Sequence, residues 1–244
     1  MTQELWPGGP LFKEDADVFR IGADSVLLAD FANNTHIRNK KRAADLGCGS
    51  GLISVLLALN NPSLHLDGLE IQPKAAQLAL ENAKNNGLAD RITIIEGDIR
   101  RHREFLQNAA YDVVVSNPPY TPQSSGKQPK NESLTAARVD EHCTLEDICR
   151  AASYLTRWGG AFLLVHKPER LPEIFSTLTA NKLEPKRIRF VQHKHTTPPN
   201  LVLIESRRGG KPSLKIEAPL ILKNENNSDT DEIKTIYRRK GTNL

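Results

Sequence analysis

Two kinds of hydrophobic segment alternate along the chain from about residue 41. Short apolar or β-branched runs predict buried strands, and longer segments with apolar residues at helical spacing predict helices between them. The predicted strands are Arg42–Leu46, His65–Leu69, Ile92–Ile95, Tyr111–Ser116, Gly160–Val165, Ile188–Val191 and Leu201–Ile204. The predicted helices are Leu52–Leu59, a segment from Pro73 that is closed by Gly87, Thr144–Leu155 and Glu169–Ala180. This alternation predicts an α/β fold, a mostly parallel sheet with helices on both faces.

Three segments do not follow the alternation, and they suggest a division of the chain. Residues 1–40 precede the first strand and form an N-terminal segment, and residues 41–223 form the main domain. Thr121–His142 is a long polar loop inside that domain, and loops of this length are often functional. Asn224–Asp231 is polar and predicts a loose linker, so residues 224–244 are interpreted as a linker and a basic tail.

Composition excludes several classes of protein. Of the 244 residues, 39% are hydrophobic and 25% are charged, which is typical of a globular chain and excludes a disordered or fibrous one. The three cysteines, Cys48, Cys143 and Cys149, are too few for a disulfide framework and indicate a reducing compartment. Neither a signal peptide nor a membrane-spanning run is present, so we expect a cytoplasmic protein with no membrane partner.

Charge is distributed unevenly along the chain. Residues 1–185 carry 20 Lys and Arg against 23 Asp and Glu, whereas residues 186–244 carry 13 against 6, a net charge of +7. A basic block on a mildly acidic body suggests a polyanionic partner, nucleic acid first, although a solvated surface accounts for the charge equally well.

A glycine-rich turn follows the first predicted strand. Its sequence, Asp45-Leu46-Gly47-Cys48-Gly49-Ser50-Gly51, has the spacing G-x-G-x-G, and Leu52 stands where a dinucleotide-binding turn would need its third glycine. Glu70 ends the second strand, where a carboxylate can accept hydrogen bonds from a ribose diol. Asp98 follows the third strand, where it could accept from an adenine amine. Acidic residues after three consecutive strands predict a cofactor that contains a nucleoside.

A second motif, Asn117-Pro118-Pro119-Tyr120, follows the strand Tyr111–Ser116. The prolines remove two backbone donors and stiffen the turn, which leaves the Asn117 amide oxygen and the Pro118 carbonyl as acceptors. Two such acceptors can bind both hydrogens of an NH₂ group. Tyr120 offers an aromatic face on which a base can stack.

The two motifs resemble motifs I and IV of the amino-group methyltransferases that use S-adenosylmethionine. Over nearly its whole length the chain resembles the bacterial valine-tRNA adenine-N6 methyltransferases, which methylate the adenine at position 37, beside the anticodon. The residues that carry this resemblance are the two motifs together with Phe19–Leu28 and His166–Leu171.

The resemblance implies a Rossmann-like, seven-stranded class I methyltransferase sheet with helices on both faces, in which the last strand, Leu201–Ile204, runs antiparallel. It implies S-adenosylmethionine as cofactor and tRNA as partner. Residues 1–40 would contact both. The cofactor would be held by Asp45, Gly47, Gly49 and Glu70, with Asp98 at its adenine and Arg20 or Asp24 at its methionine end. Asn117 would orient the target amine and contact the cofactor, Pro118 would supply the second acceptor, and Tyr120 would stack on the flipped base.

Other functions share parts of this pattern. The Asn-Pro-Pro-Tyr motif also occurs in enzymes that methylate ribosomal RNA, DNA or a protein glutamine. A glutamine enzyme would need a helical N-terminal domain, and only 44 residues precede Asp45. A non-catalytic module that binds S-adenosylmethionine and RNA is the alternative outside the enzymes. No metal site is predicted, because His193 and His195 lack further ligands. A monomer is compatible with these observations.

Overall fold

The computed structural model describes residues 2–13, 22–35, 40–120 and 143–238. Its strands are β1 (Thr2–Glu4), β2 (Leu11–Lys13), β3 (Arg42–Leu46), β4 (His65–Glu70), β5 (Ile92–Glu96), β6 (Tyr111–Ser116), β7 (Thr156–His166), β8 (Leu183–Gln192), β9 (Pro199–Arg208), β10 (Lys215–Ile216) and β11 (Leu220–Ile221). Its helices are α1 (Ala23–Asn33), α2 (Leu52–Asn60), α3 (Pro73–Asn85), α4 (His102–Phe105), α5 (Leu145–Leu155), α6 (Leu171–Ala180) and α7 (Asp231–Arg238).

Seven strands form the body of the central sheet in the order β8-β9-β7-β6-β3-β4-β5. Neighbouring strands are parallel except for β9, which runs antiparallel to both β7 and β8. The predicted seven-stranded sheet and its antiparallel last strand are therefore confirmed. The chain builds β4 and β5 on one side of β3 and then returns to place β6 on the other side. Such a reversal opens a crevice at the carboxyl ends of β3 and β6.

The two short strands β10 and β11 extend the sheet by pairing in parallel with the outer edge of β8. They were not predicted, because two residues are too few to show the alternation of apolar and polar positions by which strands are recognised.

Helices cover both faces of the sheet and enclose two apolar cores. One core contains residues of α1, α2, α3 and α7, and the other contains residues of α5 and α6. Every residue of α2 from Leu52 to Ala58 is buried, which explains why its sequence is apolar almost all round. The helix begins directly after the glycine-rich turn, whose last glycine, Gly51, is its N-cap.

The segment 224–238 differs from the predicted loose linker. Asn224 donates a backbone hydrogen bond to the Ser228 carbonyl at 2.8 Å, and the chain then forms helix α7. Ile233 and Ile236 of this helix are buried in the first core. Two isoleucines three positions apart are enough to anchor one face of a helix, but a window of mostly polar residues hides them. The rest of the basic tail lies outside the described residues.

The N-terminal segment contributes structure to the same body. Helix α1 packs against α2, and the β1–β2 hairpin is tied to α3 through a hydrogen bond from the Leu11 backbone N–H to Asn86 Oδ1 at 2.9 Å. The polar loop Thr121–His142 and residues Phe19 to Ile21 lie outside the described residues.

Among the helices that the structure describes, none combines the length and apolar content that crossing a bilayer requires.

Candidate active site

A cavity of about 280 Å³ opens at the carboxyl ends of β3, β4 and β6. Two of the predicted site residues do not line it. Asp45 is fully buried in β3, directly before the lining residues Leu46 and Gly47. Arg20 lies outside the described residues. The cavity brings together the other eight predicted site residues, which are Asp24, Gly47, Gly49, Glu70, Asp98, Asn117, Pro118 and Tyr120.

The glycine-rich turn depends on backbone angles that other residues rarely adopt. Gly47, Gly49 and Gly51 have φ values of +74°, +53° and +77°. The backbone N–H groups of Gly47 and Cys48 both donate to the Leu69 carbonyl of β4, at 2.8 and 3.2 Å. The turn is therefore held against the strand that ends in Glu70, and its backbone forms one wall of the cavity.

The Glu70 carboxylate supports this turn. Its Oε2 accepts a hydrogen bond from the Gly49 backbone N–H at 2.8 Å, and its Oε1 accepts one from the Gln72 backbone N–H at 2.9 Å. An ionised carboxylate can accept several hydrogen bonds at once, so support of the turn and a contact with a ribose diol are chemically compatible. Glu70 is also 6% exposed and lines the cavity, which fits the predicted contact with a ribose diol.

Asp45 lies behind the turn, and its carboxyl has a pKa well above the ordinary value. Burial raises its pKa to about 7, and repulsion from Glu70 adds to the rise, while a hydrogen bond from the Ser54 hydroxyl to Oδ2 at 2.8 Å opposes it. Its Oδ1 is buried with no hydrogen-bond partner among the described residues. A cationic group bound nearby would stabilise the charged carboxylate and lower its pKa again.

Asp98 is already engaged by its own turn. Its carboxylate accepts hydrogen bonds from the Arg100 backbone N–H at 2.9 Å and from the Arg100 guanidinium Nε at 2.8 Å. The bond to the guanidinium is the main cause that holds the Asp98 pKa below its ordinary value. The side chain is therefore charged at the cavity wall, and its contact with an adenine amine stays a prediction.

Asn117 is held in place by two side chains. Its Nδ2 donates to the Ser25 hydroxyl at 2.9 Å, and its Oδ1 lies 2.8 Å from the Tyr120 hydroxyl. That hydroxyl also lies 2.8 Å from Asp24 Oδ2. A phenol has one hydrogen to donate, so it binds one of these oxygens at a time, and the charge on Asp24 favours the carboxylate.

Residues near the N-terminus of α1 thus position the Asn-Pro-Pro-Tyr motif. Burial, together with Asp24, keeps the pKa of Tyr120 well above its ordinary value, so the phenol stays neutral. The role of Ser25 was missed, since it stands 92 positions before Asn117 and no spacing rule links them. Its position inside the segment Phe19–Leu28, beside Asp24, was the one available signal.

The Tyr120 ring is fixed from the side of β7. The His166 ring meets it edge-on with 5.4 Å between centroids, and the Lys167 Nζ lies 5.2 Å from its centroid. These residues belong to the segment His166–Leu171, which joins the site at the end of β7.

Among the described residues, no group of three or more His, Cys, Asp or Glu side chains is arranged to hold a metal ion.

Comparison with known proteins agrees with this geometry. Residues 15–174 match the family described as methyltransferase small domain. The chain is 33% identical over 192 residues to a protein of Porphyromonas gingivalis named tRNA1(Val) (adenine(37)-N6)-methyltransferase, covering 77% of this chain and 74% of that protein. A protein of the same name from Yersinia enterocolitica is 32% identical over 183 residues, covering 72% and 69%.

The fold is shared with solved structures as well. A predicted O-methyltransferase from Agrobacterium tumefaciens superposes with a TM-score of 0.70 at 22% identity, over 88% of this chain and 95% of that one. At that identity the likeness concerns the fold alone, whereas the sequence matches identify relatives. The chain therefore belongs to the methyltransferase small domain family and, within it, to the family of the tRNA1(Val) (adenine(37)-N6)-methyltransferases.

Proposed function

We propose that the protein transfers a methyl group from S-adenosylmethionine to the exocyclic N6 of an adenine in tRNA. The observation that carries this proposal is the position of Asn117, fixed by Ser25 and Tyr120 at the cavity that the glycine-rich turn also lines. The names of the relatives point further to adenine 37 of tRNA1(Val) as the target. A tRNA substrate agrees with the cytoplasmic location expected from the cysteine content.

The residues around the turn fit S-adenosylmethionine. Glu70 would accept from the ribose diol, Asp98 would accept from the adenine amine, and the backbone at Gly47 and Gly49 allows close approach. Asp45 would stabilise the ammonium of the methionine end, because its buried Oδ1 has no hydrogen-bond partner among the described residues. Asp24 and Arg20 are the other candidates for that end. When bound, the cofactor supplies an electrophilic methyl group on a sulfonium.

Asn117 would perform the central task of orienting the amine. With the Tyr120 hydrogen donated to Asp24, the Asn117 Oδ1 is free to accept one N–H of the target, and the Pro118 carbonyl can accept the other. The lone pair of adenine N6 is delocalised into its ring, so two acceptors that fix the NH₂ group help to direct the nitrogen at the methyl group. Positioning and electrostatics then supply most of the catalysis, and the proton leaves after the transfer.

Tyr120 would hold the flipped base. Its ring is buttressed by His166, which keeps it from rotating away when a base stacks on it. Extruding an adenine from an anticodon loop costs at most a few kcal/mol, because such a base is only partly stacked.

A transfer assay tests the proposal. Two tRNA1(Val) transcripts, one with adenine and one with guanine at position 37, are incubated with the protein and methyl-labelled S-adenosylmethionine. We expect label in the adenine transcript and none in the guanine transcript. Equal labelling of both would refute the assignment of position 37, and labelling of ribosomal RNA or protein alone would favour another amino target. Cofactor binding without any transfer would identify a non-catalytic module.

A further inference from the structure

Trp158 is an exposed aromatic residue at the amino end of β7. Its exposed fraction is 70%, higher than that of the other large exposed hydrophobic residues among those described, Leu11, Leu214 and Ile216. Strand β7 runs from Thr156 to His166, and His166 contacts the Tyr120 ring in the candidate active site. Trp158 therefore lies at the edge of the sheet opposite to that site.

A bulge in β7 presents the tryptophan. Thr156 pairs with Tyr111 and Ala161 with Val113, so β7 advances by five residues while β6 advances by two. The three extra residues loop out of the ladder, and Gly159 in this loop has a φ of +75°. Bulges of this kind re-aim side chains and are specific features of a fold.

The other strands hold the ring in place. The indole covers Gly209, at the turn after β9, so closely that a Cβ there would lie 2.2 Å from the ring, and Gly209 has a φ of +68°. Three arginines fix the backbone of the bulge by donating to its carbonyl oxygens. The bonds run from Arg157 to Trp158 at 3.3 Å, from Arg207 to Gly159 at 3.2 Å and from Arg208 to Thr156 at 2.5 Å. One side of the indole thus rests on the protein while most of its surface faces solvent.

Three lysines lie near the turn that the indole covers. Gly209 donates to the Lys182 carbonyl at 3.0 Å, which places Lys182 beside the turn. Lys186 Nζ donates to the Lys211 carbonyl at 2.6 Å, two residues after Gly209, which places Lys186 and Lys211 there as well. Within the described part of the chain, no carboxylate oxygen lies within 4.0 Å of the charged nitrogens of Lys182, Lys186, Arg208 and Lys211. Glu184 is an acid beside the turn, with its Cβ 3.2 Å from where a Cβ of Gly210 would lie, and Asp112 is a second acid, already paired with Arg157 of the bulge.

We propose that this distal surface, formed by Trp158, Lys182, Lys186, Arg208 and Lys211, binds the body of the tRNA while its target base is in the active site. The inference rests on the proposed function and adds the surface by which the enzyme holds the rest of its substrate. An aromatic platform among unpaired cations matches a nucleic acid, since the ring stacks on a base or sugar and the cations neutralise phosphates. The four cations outnumber the two acids near the bulge, Glu184 and the Asp112 carboxylate that pairs with Arg157, and this excess of positive charge favours a polyanion over a protein partner.

The separation of the two surfaces selects a large RNA. The segment of β7 from Ala161 to His166 alone spans roughly 17 Å at about 3.3 Å per residue. An RNA that contacts both surfaces must therefore reach from one edge of the sheet to the other. A folded tRNA does so, whereas the target adenine alone does not.

Tryptophan fluorescence tests binding directly, because the chain contains two tryptophans and Trp6 is only 8% exposed. We expect tRNA to quench the emission of the full-length protein and to protect it from acrylamide. A Trp158→Phe variant, which retains only Trp6, should lose both responses. Unchanged acrylamide quenching of the wild-type protein in saturating tRNA would overturn the proposal. This readout needs no catalysis, so it separates failure of the inference from failure of the proposed function.

Kinetics provide the second test. Trp158→Ala should raise the KM for full-length tRNA about tenfold, the loss expected for one stacked base, with kcat unchanged, and Trp158→Phe should restore most of the loss. The double variant Lys182→Ala/Lys211→Ala should make the salt dependence of tRNA binding shallower by about 1–2 in logarithmic slope. Neither lysine side chain makes a hydrogen bond within the described residues, so their removal leaves the fold intact.

Lys84→Ala is the matched control. Lys84 is exposed in the last turn of α3, which precedes β5 at the far side of the sheet, and its removal should change neither KM nor the salt slope. An equal effect of Lys84→Ala and the double variant would overturn a specific distal surface. A lower oligomeric state of Trp158→Ala in sedimentation, with tRNA kinetics unchanged, would assign the surface to a second copy of the chain instead.

Discussion

The Tyr120 hydroxyl is, with the Ser25 hydroxyl, one of the two groups that hold the Asn117 amide. It lies 2.8 Å from both Asn117 Oδ1 and Asp24 Oδ2, so it competes for the very oxygen that should receive the target amine. Asp24 can withdraw the phenol hydrogen and release that oxygen. Before the amine binds, the same hydroxyl can donate to Asn117 Oδ1 and hold the amide in its orientation. At the residue scale, we therefore expect catalysis to need both the phenol, which positions Asn117, and the carboxylate, which then takes the phenol hydrogen.

Tyr120→Phe separates these two roles. The variant retains the ring but loses the hydroxyl, and we expect the single-turnover transfer rate to fall about tenfold, which corresponds to about 1.4 kcal/mol for one hydrogen bond. The KM for tRNA should stay within about twofold, while Tyr120→Ala should raise it as well. A Tyr120→Phe variant that transfers methyl groups at the wild-type rate would show that the hydroxyl has no part in orienting Asn117.

Glu70→Gln tests the proposed ribose contact. The amide puts an N–H₂ group where the carboxylate accepts from the Gly49 or Gln72 backbone, and it removes the charge that strengthens bonds to hydroxyl groups. We expect S-adenosylmethionine affinity to fall by about 1.5–3 kcal/mol, measured by calorimetry. Glu104→Gln, at an exposed glutamate paired with Arg101, serves as the control and should bind normally. Equal affinity in all three proteins would remove Glu70 from the cofactor site.

At the scale of elements, strand β3 carries a buried acid whose proton affinity links stability to pH. Burial is the main cause that raises the pKa of Asp45 in the folded protein to about 7 from its ordinary value of 3.8. Between those two values the folded protein binds a proton that the unfolded chain releases. The contribution of Asp45 to the free energy of unfolding therefore decreases as the pH rises from about 4 through about 7.

Asp45→Asn should remove that dependence. The variant is neutral at all pH values, so its stability relative to the wild type should improve with rising pH, by at most about 1.4 kcal/mol per pH unit. Urea unfolding of both proteins without cofactor at pH 5 and pH 8 measures the change. The same difference in stability at both pH values would mean that Asp45 is already ionised at pH 5 in the folded protein.

The length and burial of an element decide whether the sequence predicts it. Strands β3, β4 and β6 are five or six residues long and mostly buried, so their apolar runs stand out, and the turn residues after them mark the site. The direction of β9 came from the resemblance, since parallel and antiparallel buried strands look alike in sequence. Helix α7 was missed because tertiary packing of two isoleucines, with Trp6 edge-on to Tyr237, stabilises it.

Most of the candidate site was predictable from the sequence, because its residues follow consecutive strands of one parallel sheet. Eight of the predicted residues line one cavity because the carboxyl ends of parallel strands converge at one edge of the sheet. Ser25 and the bond between Asp24 and Tyr120 could not be inferred, because α1 reaches this edge from another part of the chain. The platform of Trp158 was invisible as well, since it depends on a bulge and on the distant Gly209.

At the scale of the whole molecule, the uneven charge predicts how the RNA body is held. The described chain ends at residue 238 in α7, which packs against the helix that carries Asp24. Changing Arg238, Arg239 and Lys240 together to Ala should weaken tRNA binding and make its salt slope shallower, with cofactor affinity unchanged. Filter binding over a series of salt concentrations measures this. A variant that binds tRNA like the wild type throughout the series would mean that these charges are only solvated.

The chemical identity of the product tests the central claim most directly. The purified protein is incubated with S-adenosylmethionine and tRNA1(Val), and the digested nucleosides are analysed by mass spectrometry against methyladenosine standards. Because Asn117 is proposed to orient an NH₂ group, we predict N6-methyladenosine as the product. In Asn117→Ala its rate of formation should fall about 10²–10³-fold, the scale for removing one preorganised polar group. Methylation at a ring position of adenine, or N6-methyladenosine formed at the same rate by Asn117→Ala, would contradict the account.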